Sequence, residues 1–213
     1  MAVRKRDHLV SVAQRLFCAR GFHAVSIDDI LAEAGVARMT LYKNFDSKEE
    51  LIVATLRLED KTFRQWLASF VEAWSLRPVD RIASLFAGLH ERFSAEGYYG
   101  CAFIRASVEF PDITHPVHRV ATEHKEMMRS YFRGLAAQAN VRNPSQLAEQ
   151  IYLLFEGAIV ASQLHGDPWP ADCAGKAAEL LLTIASKSAA APGKQLPAPV
   201  AKRSARGKSS TVE

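Results

Sequence analysis

Apolar side chains recur at helical spacing along almost the whole chain. Positions 9, 12, 13, 16 and 17 hold Leu, Val, Ala, Leu and Phe, which is the pattern of one buried helix face. Gly21 ends this first helix, which the pattern predicts over residues 4–20. No segment alternates apolar and polar residues as a half-buried strand does. The sequence therefore predicts an all-α fold.

Two short helices separated by a glycine follow the first helix. Ser26 provides an oxygen-bearing N-cap for a helix over residues 27–34, and two aspartates stand in its first turn. Gly35 ends that helix, because glycine adopts a positive φ without steric cost. A third helix is predicted over residues 38–44. Short helices joined by a tight glycine turn are typical of a helix-turn-helix.

A long fourth helix connects this N-terminal module to the rest of the chain. Ser47, Lys48, Glu49 and Glu50 form a capping-box sequence at its start. Its predicted buried positions are Leu51, Leu56, Phe63, Trp66, Leu67, Phe70 and Trp74. The remaining helices are predicted from Pro78, over 101–110, from Pro116 to 139, and over 145–165 and 171–187. The expected total is nine helices, three in the N-terminal module and six in the body.

The net charge of +4 is unevenly distributed along the 213 residues. Residues 1–48 carry eight basic and five acidic side chains, whereas residues 49–187 carry fourteen and seventeen. Residues 188–213 carry five and one, in a segment of Ala, Pro, Gly, Ser and Lys that we expect to be disordered. A surface that binds a polyanion is therefore expected at an end of the chain.

Composition also excludes several classes of protein. The longest near-apolar stretch, residues 151–164, contains Glu156 and is shorter than the ~20 residues that span a bilayer. The N-terminus lacks a signal-peptide core, which favours a cytoplasmic protein. Cys18, Cys101 and Cys173 are widely and irregularly spaced, as expected of reduced thiols rather than disulfides or a zinc cluster.

The N-terminal module resembles the TetR family of transcriptional regulators over about residues 4–56. The matching positions are Phe17, Gly21, Phe22, Ser26-Ile-Asp-Asp-Ile30, Ala34-Gly-Val36, Thr40-Leu-Tyr42, Phe45 and Ser47-Lys-Glu-Glu-Leu51. Beyond Trp74 the likeness is only architectural. The resemblance implies a helix-turn-helix module over 1–48, which binds operator DNA, and a ligand-binding and dimerisation domain over 49–187.

The resemblance also implies roles for seven residues in DNA binding. Phosphate contacts are expected from Ser26, Thr40, Tyr42 and Lys48, and contacts at or beside the bases from Arg38, Met39 and Lys43. Ala37 and Met39 depart from the residues most frequent in the family. Ala37 lacks a hydroxyl, so one cap and one phosphate contact are lost. Because of both departures, the operator sequence cannot be inferred from that of a relative.

The last two helices predict a dimer interface. Apolar residues surround the helix over 145–165 rather than forming one stripe, and the helix over 171–187 is similar. Since such helices must cover more than their own core, a two-fold homodimer through residues 145–187 is expected.

The resemblance further implies a central cavity for an unidentified small-molecule effector; from the residues themselves we expect no cofactor or metal. The residues expected around it are Phe86, His90, Cys101, Phe103, Arg105, Tyr131 and Phe155. They predict a mainly apolar ligand, oriented by Arg105 or His90, whose binding releases the DNA.

Alternative interpretations exist for several of these residues. A metal sensor would use His115, His118, His124 and His165, but no Cys or carboxylate completes a ligand set. Cys101 is either a redox switch or a buried inert thiol. A small enzyme could combine Cys101, His118 and Glu109, although no catalytic motif supports it. An architectural DNA-binding protein would rely on the basic tail.

Overall fold

Every regular element of the computed structural model, which describes residues 5–74 and 77–189, is an α-helix. The helices are α1 (Lys5–Arg20), α2 (Ile27–Ala34), α3 (Arg38–Tyr42), α4 (Lys48–Trp74), α5 (Pro78–Ser94), α6 (Ala102–Glu109), α7 (Pro116–Gln138), α8 (Pro144–His165) and α9 (Trp169–Ala189). The all-α prediction is confirmed, with three helices before α4. The predicted tail begins inside α9, and residues 190–213 lie outside the described residues.

The helix-turn-helix turn is formed as its sequence predicts. Ser26 Oγ accepts a hydrogen bond from the Asp29 amide, and the Asp29 carboxylate accepts one from the Ser26 amide. Gly35 ends α2 with φ +62° and ψ +34°. α3 is two residues shorter than predicted, because Asn44 turns back and donates its side-chain amide to the Thr40 carbonyl.

The two ends of α4 differ from the predicted arrangement. At the start, Ser47 Oγ accepts a hydrogen bond from the Glu50 backbone amide. The Glu50 carboxylate accepts one from the backbone amide of Asp46, which is one residue earlier than a capping box requires. At the end, the prediction that Trp74 is buried is wrong, because its side chain is 55% exposed. This last residue of α4 instead stacks on Phe70, with ring centroids 5.6 Å apart.

Two hydrophobic cores lie on either side of the middle of α4 and α7. The N-terminal core joins side chains of α1, α2, α3, the start of α4, α6 and the start of α7, including Phe17, Leu41 and Phe103. The C-terminal core joins the end of α4, α5, the end of α7, α8 and α9, including Phe86 and Phe155. The N-terminal module therefore shares its core with α6 and α7 of the body.

The outer faces of α8 and α9 carry apolar residues that this chain leaves uncovered. Leu153 and Leu164 of α8, and Leu180 and Ile184 of α9, are each more than 60% exposed. Inward positions such as Ile151 and Phe155 are buried in the C-terminal core. Across the described residues, no helix is both long enough and apolar enough to cross a membrane.

Candidate functional site

α3 is a short helix with one buried side and one open side. Leu41 is completely buried and anchors the helix in the N-terminal core. On the open side, Met39 is 65% exposed and Tyr42 is 48% exposed. Lys43, which follows the helix, is also exposed, whereas Thr40 is half-buried. The structure thus brings several of the predicted DNA-binding residues onto one surface.

The N-termini of the neighbouring helices complete this surface. Ser26 is exposed, and its hydroxyl donates to the Asp29 carboxylate, 2.8 Å away. Ala37 precedes α3 and provides no side-chain cap, as its missing hydroxyl predicts. Lys48 begins α4 and directs its ammonium group to the His23 carbonyl oxygen at 3.5 Å. Ser26 and Lys48 therefore place a hydroxyl and an ammonium group at the N-termini of α2 and α4, the helices that flank α3 in the chain.

Arg38 has an intramolecular partner on α2. Its guanidinium forms an ion pair with the Asp28 carboxylate, and both side chains are more than half exposed. Exposed ion pairs contribute only ~0–1 kcal/mol, so this contact does not prevent Arg38 from turning toward another anion.

Only some of the seven predicted effector residues lie together. Cys101, Phe103 and Phe155 line a cavity of about 30 Å³ between α4, α5, α6, α7 and α8, which we call the inner cavity. Its volume holds only about two water molecules. Phe86 packs in the C-terminal core, with its ring centroid 6.3 Å from that of Phe155.

Two other predicted residues lie away from the inner cavity. His90 faces α9, where its Nδ1 lies 2.8 Å from the Asp172 carboxylate. The expectation that His90 projects into the central cavity is therefore wrong, because it pairs at the α5–α9 contact. Tyr131 lines a separate pocket of about 140 Å³ with Arg64, Leu67 and Met127.

Arg105 connects α6 to the N-terminal module. Its guanidinium donates to the carbonyl oxygens of Phe17 (3.0 Å) and Cys18 (2.7 Å) in the last turn of α1, and to Tyr99 at 3.1 Å. A cation at a helix C-terminus also complements the helix dipole. Arg105 therefore caps α1 from a position 87 residues along the chain.

Glu109 makes a second connection that sequence reasoning missed. Its carboxylate oxygens accept hydrogen bonds from the backbone amides of Phe22 (3.1 Å) and His23 (2.7 Å). The His23 ring nitrogen lies 2.9 Å from the Glu109 carbonyl oxygen. Arg105 and Glu109 stand four residues apart on α6, which was the available signal. Together they form what we call the α6 clamp.

A polar pair that the sequence analysis did not identify lies where α4 and α7 pass between the two cores. His124 Nδ1 is 2.8 Å from Asp60 Oδ1, and Arg64 donates two hydrogen bonds to the same carboxylate. The His124 ring stacks on Phe103 at 3.6 Å and lies edge-on to Phe63 at 5.8 Å. We call Asp60, Arg64, His124 and the two rings the seam.

The seam is arranged around a neutral imidazole. Burial lowers the pKa of His124 to about 4, despite the opposing hydrogen bond to Asp60. Since a carboxylate only accepts, Nδ1 carries the proton and donates it to Asp60. Burial raises the pKa of Asp60, but the hydrogen bonds from Arg64 and His124 outweigh this and leave it below its usual value.

The residues of the alternative interpretations have other partners. His115 caps α7 by accepting from the Val117 amide, and His118 Nδ1 lies 2.7 Å from the Phe110 carbonyl oxygen. Cys101 Sγ is 3.6 Å from the Lys125 ammonium group, which pairs with Glu156. Within residues 5–74 and 77–189, no three His, Cys, Asp or Glu side chains are grouped as metal ligands.

Comparisons with known proteins agree with this architecture. Residues 9–55 match the family model described as bacterial regulatory proteins, tetR family, and residues 78–178 match the tetracyclin repressor-like C-terminal domain. The transcriptional regulator YjdC of Escherichia coli is 22% identical over 181 residues, which are 85% of this chain and 95% of that protein. The repressor DhaR of a Mycobacterium species is 26% identical over 174 residues, 78% of this chain and 86% of the relative.

A solved structure matches most of the chain. A TetR-family transcriptional regulator from Streptomyces coelicolor superimposes with a TM-score of 0.79 and 31% identity. The match covers 85% of this chain and 96% of that one. The chain belongs to the TetR family of transcriptional regulators.

Proposed function

We propose that this regulator is a dimeric repressor that binds a near-palindromic operator and leaves it when a small-molecule effector binds. The observation that carries this proposal is the open side of α3, where Met39, Tyr42 and Lys43 stand on a helix anchored by buried Leu41. The relative DhaR is named a transcriptional repressor, which supports repression rather than activation. Family membership removes the enzyme alternative.

The DNA contacts of this surface are assigned from the chemistry of each side chain. We assign Ser26, Thr40, Tyr42 and Lys48 to phosphates, since hydroxyl, ammonium and helix N-terminal groups bind phosphate without reading sequence. We assign Arg38, Met39 and Lys43 to the edges of the bases. Arginine pairs with guanine, and an apolar side chain contacts the thymine methyl group.

The ion pair between Arg38 and Asp28 modulates this binding. Arg38 must exchange Asp28 for DNA, and the Asp28 carboxylate repels nearby phosphates. Both effects oppose binding at every DNA sequence. Removing the charge at position 28 is therefore expected to strengthen DNA binding several-fold.

The uncovered outer faces of α8 and α9 support dimerisation through residues 145–187. Leu153, Leu164, Leu180 and Ile184 are exposed in one chain, and two helices from each subunit would cover them in a four-helix contact. Two recognition helices related by a two-fold axis then require half-sites about one helical turn apart, or a multiple of it.

The effector is proposed to bind beside α6, next to the inner cavity rather than inside it, because the inner cavity, which Cys101, Phe103 and Phe155 line, holds only about two water molecules. Three further predicted residues do not line the inner cavity, and we propose that they only position the surrounding helices: Phe86, Tyr131 and His90. A coupling of ~1–3 kcal/mol between effector and DNA would change operator affinity about 5- to 150-fold.

The test of DNA binding is a salt-titrated isotherm on a duplex selected from a random pool and on its scrambled counterpart. Lys48→Ala is expected to weaken both duplexes alike and to reduce the log–log salt slope by about 0.9 for each phosphate that the lysine no longer neutralises. Arg38→Ala and Met39→Ala are expected to change the preferred bases, at ~1–3 kcal/mol per half-site. Asp28→Asn is expected to strengthen binding to both duplexes.

Two controls separate this proposal from its alternatives. Tyr42→Phe is expected to lower affinity without changing thermal stability, because only the hydroxyl of a half-exposed side chain is removed. A chain truncated after residue 189 is expected to keep its sequence preference, whereas an architectural DNA-binding protein would lose most of its affinity. Equal wild-type affinity for both duplexes would reject sequence-specific binding.

Dimerisation has its own test in sedimentation velocity. Leu153→Glu and Leu180→Glu change side chains that are exposed in the single chain, so each variant is expected to fold as a monomer. A wild-type protein that sediments as a monomer at micromolar concentration contradicts the proposed interface.

A further inference from the structure

A cavity of about 240 Å³ lies between the N-terminal module and the body. We call it the junction cavity. Phe17, Cys18 and Phe22 form its wall at the end of α1, and residues 95–100, between α5 and α6, form the opposite wall. It shares five lining residues with the inner cavity, so these residues stand between the two spaces: Glu59, Arg92, Tyr98, Gly100 and Ala102.

The junction cavity fits a compact aromatic molecule. Phe17, Phe22, Tyr98 and Tyr99 provide four aromatic side chains in its wall. With about 15 Å³ of such space for each water-sized group, it admits a molecule of roughly fifteen non-hydrogen atoms. The inner cavity of about 30 Å³ does not.

The wall carries two acidic side chains, Glu59 and the exposed Glu96, and two basic ones, Arg92 and Arg105, so any preference for an anion is local to one arginine. Glu59 accepts from Arg92 at 3.0 Å and from Gln14 at 2.6 Å, so the opposite charges of Glu59 and Arg92 are matched. Arg105 lines the same cavity, but its partners in the described part of the chain are three carbonyl oxygens and no carboxylate. Nη1 donates to both α1 carbonyls and Nη2 donates once to Tyr99, so the Nε–H and the second Nη2 hydrogen have no partner among the described residues and are available to a ligand.

One polar group between the two cavities lacks a partner among the described residues. The Tyr98 hydroxyl is buried, and within the described residues it has no hydrogen-bond partner. Burial without a hydrogen bond is costly for a hydroxyl unless a ligand or water provides one. The hydroxyl has almost no accessible surface in this structure, so the Tyr98 side chain must turn slightly before its donor hydrogen reaches a ligand oxygen in the junction cavity.

Covalent capture of the ligand by Cys18 is not favoured. Burial, followed by the charge of Glu59, raises the pKa of the Cys18 thiol to about 11. The thiol is therefore protonated at neutral pH and is a poor nucleophile.

We propose that the junction cavity is the main effector site and that it binds a small aromatic carboxylate, with the carboxylate on Arg105 and Tyr98. The ring lies among Phe17, Phe22 and Tyr99. This inference rests on the proposed function, because it names the effector class of that regulator. Since one wall belongs to α1 and the other to the body, the affinity of the ligand depends on how the two modules are oriented.

The experiment titrates the full-length dimer with 2-naphthoate and with 2-acetylnaphthalene, which keeps the shape and a carbonyl oxygen but has no charge. Calorimetry is expected to show binding of 2-naphthoate at least tenfold tighter than the ketone. Arg105→Gln is expected to remove this difference while retaining donors toward α1. Tyr98→Phe is expected to weaken 2-naphthoate about tenfold, as for one hydrogen bond to a charged group.

Blocking the cavity provides the matched comparison. Ala95 is exposed and lines the junction cavity but not the inner cavity, so Ala95→Trp is expected to weaken 2-naphthoate at least tenfold. Ala73→Trp places the same ring on an exposed part of α4 and is expected to bind as wild type. Thermal melts without ligand identify any variant that has lost its fold.

Three results overturn the inference: no 2-naphthoate binding at millimolar concentration, equal affinity for acid and ketone, or wild-type affinity in Ala95→Trp. The DNA isotherms without ligand decide the proposed function separately. A protein that recognises its selected duplex but does not bind 2-naphthoate retains the proposed function and loses this effector class.

Discussion

The N-terminal and C-terminal cores are held together by different kinds of contact. Around the N-terminal core, the α6 clamp adds charge-assisted hydrogen bonds to the backbone at Phe17, Cys18, Phe22 and His23. The C-terminal core is formed by apolar packing between helices, and its outer faces on α8 and α9 remain uncovered. The two cores are therefore connected through α6 and the seam, where they meet.

Phe103 provides the largest expected effect, because it belongs to the N-terminal core and stacks on His124 of the seam. Phe103→Ala is expected to lower the free energy of unfolding by about 3–5 kcal/mol, as for other buried phenylalanines. Urea denaturation measures it. Val108→Ala, on the exposed side of α6, is the control and should change stability by less than about 0.5 kcal/mol. A similar loss of unfolding free energy in both variants would contradict the role assigned to the buried Phe103 ring and its stacking on His124.

The seam is expected to make stability depend on pH. The pKa of His124 is about 4 in the folded protein and 6.5 as its ordinary value, so the unfolded chain binds this proton first. The stabilising contribution is complete above pH 6.5 and decreases as the pH falls toward 4, by a few kcal/mol at most. Urea titrations across this range measure it. His124→Gln should reduce the dependence of the free energy of unfolding on pH. An unchanged dependence would mean that other groups cause it.

The α6 clamp is expected to protect particular backbone amides. Glu109→Gln keeps one acceptor oxygen but loses the charge, so it should lower stability by about 1–2 kcal/mol. Hydrogen exchange at the Phe22 and His23 amides should accelerate more than at amides of the C-terminal core. Glu126→Gln, on an exposed part of α7, is the control substitution. Uniform acceleration throughout the protein would contradict a local role for the clamp.

Two glycines, one in a turn and one in a helix, give the smallest expected effects on stability. Gly35 has φ +62° and Gly134 lies in α7, and neither has a heavy atom within 4 Å of an added Cβ. Gly35→Ala should lower stability by about 1–2 kcal/mol through backbone strain alone. Gly134→Ala should raise it by roughly 0.5–1 kcal/mol. Thermal denaturation measures both, and equal signs would contradict this explanation.

Local sequence signals predicted the N-terminal module better than the effector site. The Ser26 cap and the Gly35 turn depend on neighbouring residues, so their pattern determines their geometry. The sites around the cavities depend on which helices meet. His90 and Tyr131 have aromatic or polar character suited to a pocket, but helix packing directs them to Asp172 and to a separate pocket.

The seam could not have been predicted from spacing alone. Asp60 and His124 are 64 residues apart, and an aspartate or histidine within an amphipathic helix is more often exposed. Arg105 was expected to orient a ligand, whereas in the folded protein it also caps α1. That capping depends on the position of α1 beside α6: the four-residue spacing of Arg105 and Glu109 places both on one face of α6 but does not identify α1 as their partner.

The α6 clamp bears on how modules can be exchanged between regulators of this kind. A chimaera that takes only residues 1–48 from this protein would leave behind Phe103, Arg105 and Glu109, and with them part of the core and the cap of α1. A transplant that includes α6 and the start of α7 retains those contacts. The unit that can be inherited or engineered intact is therefore discontinuous in sequence, although the DNA-reading surface itself is contiguous.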